Sequence, residues 1–436
     1  MLHRSVLLLA LALLAFGGSA EALAQGANNY GSLYSRFGVG ERVSFSNSQV
    51  DAMGGAGLAV RSFSYVPLDN PASWGDITLS HFTFSAQITG TTLEAADGTT
   101  SDLASGGLNA IQLAFPLLNR KLGLNVAYRP YSRVNYRAIR TDSFSPTDGT
   151  DPLDYQINYE GDGGLQEIQA GVGYRITTNV LVGASINAFF GNIDYLQRTE
   201  FPTSFIFEET RSTESVRVAG VTGTVGVLAS TPRLFGESDA LSFAATARLP
   251  ARLRGERVET IGISLDRDTL ATSADGSLRL PMELAAGIAY APSNALQFAV
   301  DTRYEPWGSQ FESDFVLGGF VPGGNDDLQD RWRVGGGLEW RPAGTRRRAP
   351  YLSRVAYRLG GYIDQGYLAP TGSSLTTYAA TVGLSLPALI PTASFDLNLE
   401  VGQRGDAEGL LVRDTFLKAS ATINFGERWF LRRRID

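Results

Sequence analysis

From Thr415 to Phe425 the chain alternates without a break. Leu417, Ala419, Ala421, Ile423 and Phe425 fall on one face, Lys418, Ser420, Thr422 and Asn424 on the other. A period of two marks a β-strand, because successive side chains leave a strand on opposite sides. The same pattern recurs after Trp74 and predicts about fourteen strands. They fall near 77–89, 108–116, 121–140, 160–176, 180–198, 212–230, 240–254, 278–291, 295–307, 330–342, 351–363, 374–386, 394–404 and 413–425. Two places, near Gly191-Asn192 and near Ala219, shift phase in a way that suits a β-bulge.

The connections alternate as well. Long polar segments (Gly90 to Gly107, Thr141 to Tyr159, Gly255 to Ser277, Gly308 to Gln329) take turns with short ones (Leu117 to Arg120, Thr177 to Asn179, Pro292 to Asn294, Pro387 to Ala393). Long loops at one end and tight turns at the other are the plan of an outer-membrane barrel. The polar faces fit it. Asp301, Arg303 and Glu305 share one face with Gln297, and Arg331, Arg333 and Glu339 share the next. An Arg facing lipid near the midplane costs roughly 2–4 kcal/mol, so these side chains should line a hydrated interior and pair there. The fold class expected is all-β, a transmembrane antiparallel up-and-down β-barrel of about fourteen strands.

Composition narrows the picture. Residues 1–24 have a basic start, an apolar core from Val6 to Phe16 and a small-x-small Ala22-Leu23-Ala24 site, the plan of a signal peptide. With no Cys, disulfides, thiolate metal sites and a lipid-anchored N-terminus are excluded. The 43% hydrophobic content and mean hydropathy of -0.05 are those of a barrel whose lipid-facing residues are diluted by polar lumen residues. A net charge of -7 argues against nucleic acid as a partner.

Residues 25–75 do not alternate. They carry YSRFGVG (Tyr34 to Gly40), AMGGAGLAV (Ala52 to Val60) and DNPASW (Asp69 to Trp74). This order resembles the N-terminus of the FadL-like long-chain fatty-acid transporter family, as a divergent branch. The resemblance implies that residues 25–75 form a hatch inside the lumen, with Asn70, Pro71 and Ala72 as its Asn-Pro-Ala motif. It implies a barrel over 76–425, a periplasmic basic tail over 426–436, and a hydrophobic small-molecule ligand. It also implies lateral release into the membrane beside Arg129 and Pro130, since proline cannot donate a ladder hydrogen bond. Pro130 lying just above the membrane, where the strand ends, is the other reading.

Other candidate chemistry is thin. His81 is the one histidine after the signal, with Ser80 before it, and a hydrolase needs further placed partners. Asn325-Asp326-Asp327-x-x-Asp330 lacks regular calcium-loop spacing. Arg346-Arg347-Arg348 and Arg432-Arg433-Arg434 both map to the periplasmic end, as solubilising charge or as contacts to anionic lipid or a periplasmic partner. The last strand is expected to end at Phe425. The sequence therefore reads as a monomeric, non-enzymatic barrel of the Gram-negative outer membrane, in contact with outer-membrane lipids. It passes hydrophobic small molecules without cofactor or metal. The alternative is a non-transporting barrel subunit of a secretion or surface-attachment complex.

Overall fold

The computed structural model describes residues 30–427 apart from 63, 119–120, 146–152, 202–208, 264–265, 316, 318–327, 345, 347, 389–391 and 408–410. The expected signal peptide, the basic tail beyond 427 and the Asn325–Asp327 triplet lie outside the described residues.

Alternation becomes a closed antiparallel barrel of 14 strands. These are β1 (Ser80–Ala95), β2 (Thr100–Leu118), β3 in two parts (Leu122–Pro130 and Ser132–Phe144), β4 (Leu153–Arg175), β5 (Val180–Glu200) and β6 (Thr210–Pro232). There follow β7 in two parts (Ala240–Arg248 and Ala251–Ile263), β8 in two parts (Asp266–Leu280 and Glu283–Ser293), and β9 (Leu296–Glu305). The last five are β10 (Arg331–Trp340), β11 (Ala356–Gln365), β12 (Thr376–Pro387), β13 (Ala393–Arg404) and β14 (Val412–Glu427). The sheet closes where β14 pairs with β1, from Val412↔Ala95 to Glu427↔Ser80. The last strand thus runs two residues past the expected stop at Phe425.

The outward face is apolar because the inward one is not. On β9 and β10, Phe298, Val300, Trp332, Val334 and Trp340 are exposed, while Asp301, Glu305 and Arg331 are buried. Aromatic pairs mark both edges of this band. Tyr304 and Trp332 stack with centroids 4.4 Å apart, and Trp340 and Tyr357 at 5.6 Å. Trp332 and Trp340 are eight residues apart, about 26 Å along a strand and about 20 Å in height at a barrel's tilt. That matches a hydrocarbon layer with its interfacial girdles.

Two expectations need correction. The long polar segments Gly90 to Gly107 and Gly255 to Ser277 are not loops but hairpins: β1 and β2 continue to Ala95 and Thr100, β7 and β8 to Ile263 and Asp266. Above the band both strand faces meet water, so the ladder goes on while the apolar half of the pattern disappears. At Gly191-Asn192 no bulge is present, since Phe190↔Ala219, Gly191↔Val218 and Asn192↔Arg217 pair in unbroken register, whereas beside Ala219 the β6–β7 register shifts by one residue between Thr224↔Arg248 and Ala219↔Arg254. The phase slips because apolar side chains there point inward. Phe189, Val216 and Val218 join Tyr131, Leu165, Leu253 and Trp307 in an apolar cluster across the outer half of the lumen.

Candidate functional site: a charged lumen and an interrupted strand

Residues 30–79 run through the lumen, held by two kinds of contact. The first is backbone against glycine. Gly54 (φ +71) sits where a Cβ would come within 2.2 Å of the Gly361 carbonyl oxygen, and a Cβ on Gly335 would lie 2.1 Å from the Gly54 oxygen. Only glycine on both sides lets the segment touch the wall. Gly54 N donates to Thr381 Oγ1 at 3.2 Å, and that hydroxyl donates to the Ala52 carbonyl at 3.0 Å. Asn70 makes the second anchor. It caps the 3-10 turn Pro71–Asp76 by accepting from Ala72 N at 3.0 Å, and it donates to the Leu58 carbonyl at 3.0 Å. Pro71 at the first helical position keeps the bend rigid.

The second kind of contact is charge. Asp69 of the segment lies between Arg129 of β3, at 2.7 Å, and Arg303 of β9. Burial works against its ionisation, yet the Arg303 and Arg129 guanidiniums hold its carboxyl below the usual range. From there the pairing is continuous. Arg129 Nε reaches Glu167 at 3.0 Å, Arg248 stands between Glu167 and Glu283, and Arg42 lies 3.6 Å from Glu283 and 3.3 Å from Glu305. Arg331 joins Glu305 at 2.7 Å to Asp364 at 2.6 Å, where Arg333 follows at 3.1 Å. The chain of charges crosses the lumen from β3 to β11.

The six lumen charges named from the sequence are therefore placed differently from one another. Glu305, Arg331 and Arg333 lie in this chain, whereas Arg303 meets Asp69 rather than a partner on β10. Asp301 accepts from the N–H groups of Gly57 and Leu58, at 2.7 and 2.8 Å, and not from Arg331 or Arg333. Glu339 lies apart, paired with Arg358 and Arg341. Sequence reading missed Glu167, Arg248, Glu283 and Asp364, although each occupies an inward period-two position beside an outward apolar residue. Arg42 and Asp69 gave no such signal, because their segment has no period.

Pro130 ends the first part of β3, and the consequence is on the β2 side. The β2–β3 ladder stops at Ile111↔Tyr128, whereas β3 stays paired to β4 up to Phe144↔Leu153. The outer half of β3 pairs instead with the N-terminal segment: Glu41↔Arg133 and Arg42↔Ser132, with Gly31 N donating to the Asn135 carbonyl at 3.0 Å and Val43 N to the Tyr131 carbonyl at 3.0 Å. Arg133 reaches across to the Leu108 carbonyl at 2.7 Å. Pro130 is eight residues above Leu122 at the inner turn, the spacing that separates Trp332 from Trp340. The break thus sits at the outer edge of the apolar band.

Behind the break lies a cavity of about 190 Å³ that touches Ser105 and Gly106 of β2 and Arg133 and Asn135 of β3. Six cationic side chains line it against four carboxylates, with Arg333, Arg404 and Lys418 contributed by β10, β13 and β14. One carboxylate is Asp51, at the end of the single-turn helix Ser48–Asp51. Burial first, and the neighbouring Glu400 carboxylate second, push its carboxyl up to about 8.

His81 is buried in β1 beside a separate space of about 20 Å³, shared with Tyr65 and Asp76, which holds about one water. Asp330, the described end of the acidic loop, accepts from Tyr304 Oη at 2.7 Å and Gly308 N at 3.1 Å. It serves as a loop anchor. Among the described residues no group of three or more metal-ligating side chains comes together.

Comparison with known proteins separates fold from family. The fold is that of the CymD monoaromatic hydrocarbon channel (15% identity, TM-score 0.56, covering 89% of this chain and 99% of that one). The Ralstonia pickettii toluene transporter TbuX is similar (14%, 0.54, 88% and 98%), as is a Pseudomonas aeruginosa FadL homologue (11%, 0.56, 88% and 99%). No curated protein matches by sequence. The family model that matches is the one described as BamG, over residues 1–436. The resemblance to FadL-like transporters is thus one of architecture, and the family match is a different one.

Proposed function

This chain belongs to the BamG family, and from that premise we propose an outer-membrane barrel that passes hydrophobic small molecules, with lateral release between β2 and β3. The observation that carries this reading is the break at Tyr131 backed by a cavity of about 190 Å³ with Arg133 at its mouth. CymD is a monoaromatic hydrocarbon channel and TbuX a toluene transporter, but the lining here favours a different cargo. An uncharged hydrocarbon gains nothing from Arg133, whose guanidinium at the mouth of the cavity meets the Leu108 carbonyl rather than a carboxylate, whereas a long-chain fatty acid or similar amphiphile places its carboxylate there and its tail in the break. The outer edge of the apolar band is where such a molecule already orients in a bilayer.

Locking the N-terminal segment against the outer half of β3, beside the break, tests the route. Glu41 and Arg133 are ladder partners, so cysteines at both positions lie within disulfide reach in a chain that has no other. Oxidation should cut uptake of a long-chain fatty acid by about tenfold and reduction should restore it, the size expected when a required motion is locked out. Unchanged uptake with the bond verified would sink the lateral route.

One observation favours the second reading, a barrel subunit of a larger assembly. The charge chain and the apolar cluster above it fill the middle of the lumen among the described residues. A barrel that takes up no hydrophobic compound in either redox state would fit that role instead.

A further inference from the structure

The turn between β10 and β11 is the most one-sided stretch of charge in the chain. From Arg341 to Ile363 there are six arginines and no carboxylate, in a protein of net charge -7. Of these, Arg358 faces the lumen and pairs with Glu339, and Arg341 shares the same carboxylate at 3.1 Å. Arg346 and Arg348 are different. Both are exposed, and with Ala349, Pro350 and Ser353 they enclose a surface pocket of about 520 Å³ with no acidic wall. Arg346 is held in place by donating to the Ala343 carbonyl at 3.3 Å.

Two further features set the height of this pocket. It hangs directly from the aromatic pair Trp340–Tyr357, and Tyr357 Oη donates to the Leu352 carbonyl at 3.1 Å, tying the turn to the girdle. Beside the pocket, Tyr351 and Leu352 stand out, and Leu352 is 70% exposed. An exposed leucine is costly in water but at home at the boundary of headgroups and acyl chains.

We infer that the pocket lined by Arg346, Arg348, Pro350 and Ser353 is a binding site for an anionic phospholipid of the inner leaflet, its phosphate between the Arg346 and Arg348 guanidiniums and its acyl chain against Leu352. The inference rests on the outer-membrane placement proposed above and not on transport. Guanidinium forks suit phosphate oxygens, and each basic residue near a membrane surface adds its own increment of attraction. The site would fix the inner rim of the barrel against anionic lipid, independently of the break in β3.

The test uses the full-length barrel in phosphatidylcholine nanodiscs containing a minority of phosphatidylglycerol, stripped stepwise and followed by native mass spectrometry. The unsubstituted protein should retain phosphatidylglycerol over phosphatidylcholine by about tenfold or more, given two arginines at the surface. The double variants R346E/R348E and R346Q/R348Q should both lose that preference. Arg211→Glu, at an exposed position in the outer half of β6, should keep it. Absence of preference in the unsubstituted protein, retention by either double variant, or equal loss in the Arg211 control would overturn the site. Displacement by millimolar glycerol 3-phosphate would overturn a lipid ligand in favour of a free phosphate. Fatty-acid uptake measured on the same variants should be unchanged, which separates failure of this site from failure of the transport reading.

Discussion

A single carboxylate decides how firmly the N-terminal segment is seated. Asp69 is the segment's contribution to a chain of buried charges, and its neighbours Arg129 and Arg303 stay buried if it is removed. Breaking a buried pair costs about 3–5 kcal/mol, and here the loss falls toward the lower end, because Arg129 keeps Glu167 while Arg303 is left with Glu283 at 3.8 Å. Asp69→Ala should therefore release residues 30–79 while the strands hold, seen as new protease cleavage in that segment within an intact barrel. Asp51 acts in the opposite sense. Its proton is kept in the folded state to about pH 8 but lost near 3.8 once the segment is free. The folded state binds more protons across that window, so seating weakens as pH rises from about 4 to about 8. Hydrogen exchange of residues 48–54, corrected for intrinsic rates, should accelerate between pH 5 and pH 8.5. In Asp51→Asn this acceleration should disappear.

Elements were legible in proportion to the contrast between their two surroundings. Where β9 and β10 stand between lipid and lumen, alternation is complete and the sequence alone places Asp301 inward and Val300 outward. Where β1, β2, β7 and β8 rise above the band, both faces are wet and the same ladder leaves no pattern; those stretches read as loops. Phe189, Val216 and Val218 misled for the converse reason, since apolar residues on an inward face look like a slipped register. The glycine contacts were hidden altogether, because Gly54 and Gly335 are 281 positions apart and nothing local requires either. Their function is steric, which makes it testable. Gly335→Val should collide with the Gly54 carbonyl and cost about 1–3 kcal/mol in forced backbone displacement, lowering the protection of residues 48–58 with little change in the strands.

At the scale of the molecule, sidedness follows from which connections are tight. The β1–β2 hairpin carries Asp97 at an exposed tip, and the β2–β3 turn carries exposed Lys121. Cysteine at 97 should react with an impermeant maleimide on intact cells, and cysteine at 121 only after the outer membrane is breached; the reverse order would invert the barrel. The closing pair of strands has a consequence for how the chain is made. β14 zips onto β1 over sixteen ladder positions, from Val412↔Ala95 to Glu427↔Ser80, and the segment that precedes β1 ends up inside the ring. A seam that is the last to form acts as a door: residues 30–79 must already lie in the curved, unfinished sheet before the C-terminal strand arrives, since the glycines and arginines that seat them (Gly335, Gly361, Arg129, Arg303) belong to earlier strands. Ser32 to Asp414 and Ser48 to Thr422 are contacts that β14 itself completes. Assembly is thus ordered by topology, with the earliest part of the chain waiting on the latest.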